Sequence, residues 1–268
     1  MSLTADGKNN LKLFKDLVKG VLEEAMPELG PSVSPFGSFI NGLALYDSDL
    51  DLVVHCKASP FRPYEHMDYW TAFLLLEVIE KTLQRQLVLA SPSPGPGSQQ
   101  VGRIVTSRRC PIVKLDFTSA FPELRAEVER LNRHAPMVLK LNQCDISVTS
   151  HYGIFNSNLL KFYSDFDRRF TELSIVLKYW LKKNELIGTK ALSSYALQLM
   201  IIFFLQTRSP PLLPSLEQLR LLATEETVVN GNVNITFCQD VYRVRARWSP
   251  TPKVNLDPTS ELLVDFLK

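Results

Sequence analysis

A chain of 268 residues with 45% hydrophobic and 22% charged side chains is globular, and it is long enough to bury one large core or two small ones, so two lobes are expected. Its net charge of +2 is too small to announce a nucleic-acid partner, and the basic runs at 103–109, 168–190 and 243–253 each read, taken singly, as a solvated face. Cys56, Cys110, Cys144 and Cys238 form no C-x-x-C pair and no His sits at zinc-finger spacing, which points to reduced thiols in an intracellular protein and away from a structural zinc. No apolar run approaches the ~20 residues of a membrane span, so no membrane partner is expected. Met1 to Asn10 resembles neither a signal peptide nor an Arg-rich transit peptide, although a mature chain would have lost either.

Along the chain, Leu11, Phe14, Leu17, Val18, Val21 and Leu22 share one helical stripe, which predicts an amphipathic helix over 11–26. Asn41-Gly42 between two apolar segments predicts a hairpin-like pair of strands over 33–56. A helix fits 67–88, and the Pro/Ser/Gly-rich stretch Ser91 to Ser98 reads as a loop. Strands are expected at 101–106 and 111–117, then a polar Arg/Glu-rich stretch at 121–134, then a third strand at 144–149. From Gly153 to Gln206 helical periodicity dominates, until Pro210, Pro211 and Pro214 end it. Strands followed by helices give an α+β chain with a mixed sheet in the first half and a helical second lobe.

The chemistry concentrates where Pro35-Phe36-Gly37-Ser38-Phe39 precedes Asp47-Ser48-Asp49-Leu50-Asp51-Leu52. On a strand, Asp49 and Asp51 point to the same side, about 6.6 Å apart at Cα, while Leu50 and Leu52 point into the core. Asp is disfavoured inside strands and paired carboxylates repel, so the pattern suits a shared hard cation. A bare D-x-D also describes a strand edge with solvated acids. Gly37 and Ser38 alter that weighing, because a Gly lets the backbone approach a phosphate and the Ser hydroxyl and nearby N–H groups can hold its oxygens. Asp145, in Gln143-Cys144-Asp145-Ile146-Ser147, sets a third acid in apolar alternation.

Gly-Ser followed by Asp-Leu-Asp, with Asp145 beyond, resembles the signature of the DNA polymerase β nucleotidyltransferase superfamily. Further blocks are Asn156-Ser157-Asn158, Val176-Leu177-Lys178-Tyr179-Trp180-Leu181-Lys182 and Leu192-Ser193-Ser194-Tyr195. Their order and spacing are similar to the noncanonical poly(A) polymerases and terminal uridylyltransferases, most of all the compact kinetoplastid uridylyltransferases. The resemblance implies a two-lobed polymerase-β-type fold, with a catalytic domain over 27–150 carrying a short insertion near 118–141. Residues 1–26 and 151–268 would form a helical nucleotide-recognition domain.

It also implies roles. Asp49, Asp51 and Asp145 would bind two Mg²⁺ or Mn²⁺ ions. Gly37 and Ser38 would meet the triphosphate, as would Lys178, Lys182 and Ser194, the two lysines lying one turn apart on a helix. Asn156 would bond the ribose 2′-OH, Tyr195 would stack under the base and Ser157 would contact the base edge. The partners would be UTP, or another ribonucleoside triphosphate, and an RNA 3′ end, in RNA processing or editing. The compartment, mitochondrial or cytoplasmic, is not implied.

The chain departs from the family in two places. The base-reading loop expected after the helix resembling Glu261 to Leu267 would lie beyond Lys268, and the insertion reads either as a docking element for RNA or protein or as a surface elaboration. Uridylyl transfer stands first, adenylyl transfer second, and a catalytically silent RNA-binding subunit third. The presence of all three acids argues against the last. A small-molecule nucleotidyltransferase would share Gly-Ser and D-x-D but not the Lys178/Lys182 and Ser194-Tyr195 blocks.

Overall fold

The computed structural model describes residues 5–45, 48–57, 67–89, 102–105, 111–116, 143–149, 151–188, 191–229, 233–248 and 254–268. The chain falls into two compact units, one built from 2–39 and 46–154, the other from 40–45 and 155–268. The loop at 91–98 and the insertion near 118–141 lie outside the described residues.

In the first unit, helix α1 (Ala5–Ala25) leads through a 3₁₀ turn (Pro27–Leu29) into β1 (Pro31–Phe36), a short α2 (Ser38–Asn41), β2 (Leu50–Cys56), α3 (Tyr69–Leu89), β3 (Gly102–Val105), β4 (Ile112–Asp116) and β5 (Gln143–Ser147). The sheet order is β1-β2-β5-β4-β3, antiparallel throughout except for the parallel pair β2 and β5, hence mixed. Alternation explains its core: Leu50, Leu52, Val113, Leu115, Cys144 and Ile146 are buried, and Leu76, Ile79 and Leu83 of α3 are buried too. Asp68 caps α3, its carboxylate accepting from the backbone N–H groups of Trp70 and Thr71.

Helix α1 packs on β1 and α3, burying Phe14, Val18 and Leu22. Residues 1–26 therefore do not join the helical lobe as the sequence suggested; the apolar stripe of α1 is covered by the sheet unit. A second difference concerns Asn41-Gly42. The strands β1 and β2 do pair antiparallel, but no two-residue turn joins them. Gly42 (φ +79°) follows the end of α2, and the Asn41 side chain accepts from the N–H of Leu43 at 3.0 Å. A tight hairpin and a helix end both need a residue with positive φ, so the dipeptide cannot distinguish them.

The second unit is mainly helical. It contains most of α4 (His151–Phe166), then α5 (Arg168–Lys183), α6 (Ser194–Gln206), α7 (Leu216–Leu221), a small β6 (Val228–Val229) and β7 (Val233–Asn234) ribbon, α8 (Val241–Arg247) and α9 (Thr259–Phe266). Its core gathers Leu43, Tyr163, Phe170, Leu173, Leu197, Ile201, Leu205 and Leu262. The Tyr163 hydroxyl donates to the carbonyl of Pro214 (3.1 Å), so its polar end is satisfied inside the core. Among the described residues no helix is long and apolar enough to cross a membrane.

Asp167 caps α5, accepting from the Arg169 N–H at 2.9 Å, and also pairs with the Arg169 guanidinium at 2.7 Å. That guanidinium donates to the carbonyls of Asn255 (3.0 Å) and Asp257 (3.2 Å), tying the segment before α9 to α5. Asp167→Ala is expected to lower stability by about 1–3 kcal/mol, through the lost cap and the loosened Arg169. Chemical denaturation should show this as a lower midpoint without a changed slope.

Candidate active site

The acids come together through the sheet. Asp51 on β2 stands in parallel register with Asp145 on β5, so the two side chains share a face, and Asp49 lies two residues before Asp51. On the other flank of β5, Lys114 of β4 is in register with Asp145. Its ammonium is 3.0 Å from Asp145 Oδ1 and 3.7 Å from Asp49 Oδ2. Asp145 Oδ1 is fully enclosed, and the Lys114 contact lies outside hydrogen-bonding direction, so the pairing is ionic rather than a directed hydrogen bond.

The turn before α2 is shaped around these acids. Phe36 is opposite Asp51 in the β1/β2 pairing, and Gly37 follows with φ +74°. A Cβ on Gly37 would stand 2.0 Å from Asp51 Oδ2 and 2.8 Å from its Cγ. Only glycine allows both that conformation and that approach. Gly153, at the start of α4, plays a similar packing part: a Cβ there would lie 2.7 Å from the Phe36 ring.

Burial raises the Asp145 carboxyl above the ordinary aspartate range; Lys114 opposes the shift and the Asp49 charge adds to it. For Lys114, burial pulls the pKa down, but Asp145 and Asp49 outweigh it and the net shift is upward. Burial weighs more at Asp145, whose side chain is 19% exposed, than at Lys114, which is 27% exposed. Burial, followed by the charges of Asp145, Asp51 and Asp49, pushes the Cys144 thiol up, which keeps it neutral.

A carboxyl with a raised folded-state pKa binds protons more tightly in the folded protein. Its unfavourable contribution is absent below the unfolded value of about 3.9 and grows as pH rises through the folded value. Asp145→Asn is therefore expected to raise the Tm of chelator-treated protein at pH 7.5, with a smaller gain at pH 4. Equal gains at the two pH values would show that ionisation of Asp145 is not the cause.

The donor chemistry suits a divalent cation: carboxylate oxygens are hard ligands, Asp145 Oδ1 is a buried acceptor without a hydrogen bond, and Gly37 leaves room for Asp51 Oδ2. Among the described residues, however, no three Asp, Glu, His or Cys side chains already converge as a ligand set. Lys114 is instead seated against two of the acids.

The other residues singled out from the sequence fall on the helical unit, apart from Ser38, which opens α2. Asn156 and Ser157 lie on α4, Asn156 half-buried and Ser157 buried. Lys178 is buried on α5, its ammonium donating to the Leu43 carbonyl at 3.1 Å, while Lys182 one turn later is exposed. Spacing alone made the two lysines equivalent; packing does not. Ser194 begins α6 behind the N-cap Ser193, and the neighbouring Tyr195 is exposed. Lys114 and Gly153 were missed. The alternation Val113-Lys114-Leu115, a charge between two buried residues, was the available signal for Lys114.

Mixed sheet, helical unit and paired strand acids define a polymerase-β-type nucleotidyltransferase fold, and a crystal structure of mtPAP in complex with ATPγS shares it, with TM-score 0.70 and 28% identity over 98% of this chain and 51% of that one. Residues 1–165 match the family model "Poly(A) RNA polymerase, mitochondrial-like, central palm domain", and the chain belongs to that family. The speckle targeted PIP5K1A-regulated poly(A) polymerase of Danio rerio is 30% identical over 229 residues, covering 82% of this chain and 28% of its own length. The mitochondrial poly(A) RNA polymerase of Homo sapiens is 27% identical over 249 residues, or 88% of this chain and 38% of that protein. The chain thus spans well under half the length of these relatives. A cytoplasmic RNA terminal U-transferase shares the fold at 23% identity and TM-score 0.62, over 99% of this chain and 67% of that one. The kinship covers the wider family and is not specific to its kinetoplastid uridylyltransferase branch.

Proposed function

We propose that this chain belongs to a template-independent RNA 3′-terminal nucleotidyltransferase that adds AMP from ATP. The observation that carries the chemistry is the register of Asp51 with Asp145 beside the Gly37 turn. Asp49, Asp51 and Asp145 would hold two Mg²⁺ or Mn²⁺ ions. Bound there, the ions supply activation of the RNA 3′-OH and neutralisation of charge on the α-phosphate and leaving pyrophosphate.

The chain's own residues do the rest. Gly37 gives the backbone its close approach, and Ser38 offers a hydroxyl to the β- and γ-phosphates. Lys182 brings an exposed charge to the triphosphate. Lys178 brings one whose direction is set by the Leu43 carbonyl. Ser194 touches the phosphates, Asn156 bonds the ribose 2′-OH, Tyr195 stacks on the base and Ser157 reads its edge.

The base is the finer question. The sequence resemblance put UTP first, whereas the named relatives at 27–30% identity are poly(A) polymerases, which supports ATP. The U-transferase likeness, at 23%, bears on fold alone. We also place the protein inside the cell, in keeping with the mitochondrial and speckle-targeted relatives.

The deciding assay extends a 5′-labelled oligoribonucleotide with Mg²⁺ or Mn²⁺ and each nucleoside triphosphate separately, at equal concentration. ATP should give the longest products. A clear preference for UTP would restore the uridylyl reading, and no extension with any nucleotide by folded protein would support the silent RNA-binding one. Tyr195→Ala should weaken every nucleotide by about 1–3 kcal/mol and leave their ranking unchanged, since every base has a π face.

A further inference from the structure

We infer that Lys114 is a positioning residue of the acidic centre, a built-in counter-ion that holds Asp49 and Asp145 together in metal-free protein and competes with the divalent cation for them; this rests on the metal reading of the three acids. The proposed reaction gives Lys114 no other part. It is 3.0 Å from Asp145 Oδ1 and 3.7 Å from Asp49 Oδ2, so one ammonium spans a carboxylate on β5 and another just before β2. The register of β4 with β5 puts it there, opposite Asp145, while Val113 and Leu115 on either side are buried and anchor the strand.

Carboxylates on and beside neighbouring strands repel one another, and a fixed cation between two of them offsets part of that repulsion. A divalent ion held by the same carboxylates would meet the charge of the ammonium, and like charges at low effective dielectric repel strongly. The same lysine therefore stabilises the empty arrangement and raises the concentration of metal needed to fill it.

Thermal unfolding of the full chain, first in chelator and then across a Mn²⁺ titration, separates these effects without relying on activity. Lys114→Met should lower the Tm in chelator, enlarge the rise caused by Mn²⁺, and shift the Mn²⁺ midpoint to roughly five- to tenfold lower concentration. Lys114→Arg, which keeps the charge, should follow wild type. In an Asp145→Asn background, replacing Lys114 by Met should lower the Tm in chelator far less, because the main partner is gone. Lys114→Gln serves for the same comparison if the methionine variant does not fold.

A purely packing role would lower the Tm equally with and without Mn²⁺, and that result would overturn the inference. So would a Lys114→Met midpoint equal to or above that of wild type. Wild type that responds to neither Mn²⁺ nor Mg²⁺ would overturn the metal reading and this inference with it, whereas a responding wild type matched by Lys114→Met would overturn the inference alone.

Discussion

Asp51→Asn and Asp145→Asn are each expected to abolish 3′ extension, lowering it by ~10³-fold or more, while the protein stays folded. Each replacement keeps the side chain's size and removes a charge that a hard cation needs, and a bound ion's stabilisation of several kcal/mol converts to three or more powers of ten at about 1.4 kcal/mol each. Among the described residues no further group completes a ligand set. Cys144 is buried with its thiol held neutral, and the ammonium set against Asp145, that of Lys114, repels a metal. Asp49→Asn should behave in the same way. The measurement is single-nucleotide extension of one RNA primer alongside a circular dichroism melt. Near-wild-type extension by any folded variant would remove that residue from the metal site.

Gly37→Ala should be almost as damaging, although it touches no charge. At φ +74° an alanine is strained by about 1–2 kcal/mol on backbone grounds alone. Its Cβ would also overlap Asp51 Oδ2 at 2.0 Å, so the carboxylate must swing away or the turn must open. Either movement misplaces a metal ligand, and extension should fall by about 10²-fold, the scale at which ~1 Å misplacements act. Gly42→Ala provides the control. Gly42 has φ +79° but nothing within 4 Å of an added Cβ, so it bears similar backbone strain without the overlap. Comparable stability losses in the two variants, with extension lost only for Gly37→Ala, would locate the effect at Asp51. Equal loss of extension in both would assign it to backbone strain.

The legible parts of this protein were those written in short-range pattern. The stripe of α1, the apolar length of α3 and the alternation around Asp51 and Asp145 each follow from period 3.6 or period 2, and the structure shows them within a few residues. The Gly-Ser and D-x-D pair stood out in the sequence because paired acids in a strand are costly unless something is gained. Asn41-Gly42 was misleading for the opposite reason: positive φ serves two different structures equally well.

What the sequence alone determined is the main helices and strands and the mixed α+β class, and it singled out the three acids as candidates, because strand alternation and helix periodicity are local properties of a chain. Only the tertiary structure decided which lobe keeps α1, that Lys178 is buried against Leu43 while Lys182 is exposed, and that Lys114 stands between Asp145 and Asp49. Each of these depends on partners distant in sequence: α1 on its cover from α3, Lys178 on a carbonyl 135 residues away, and Lys114 on the register of strands β4 and β5. Register and cover are settled by which apolar faces bury one another, and no window of neighbouring residues contains that information.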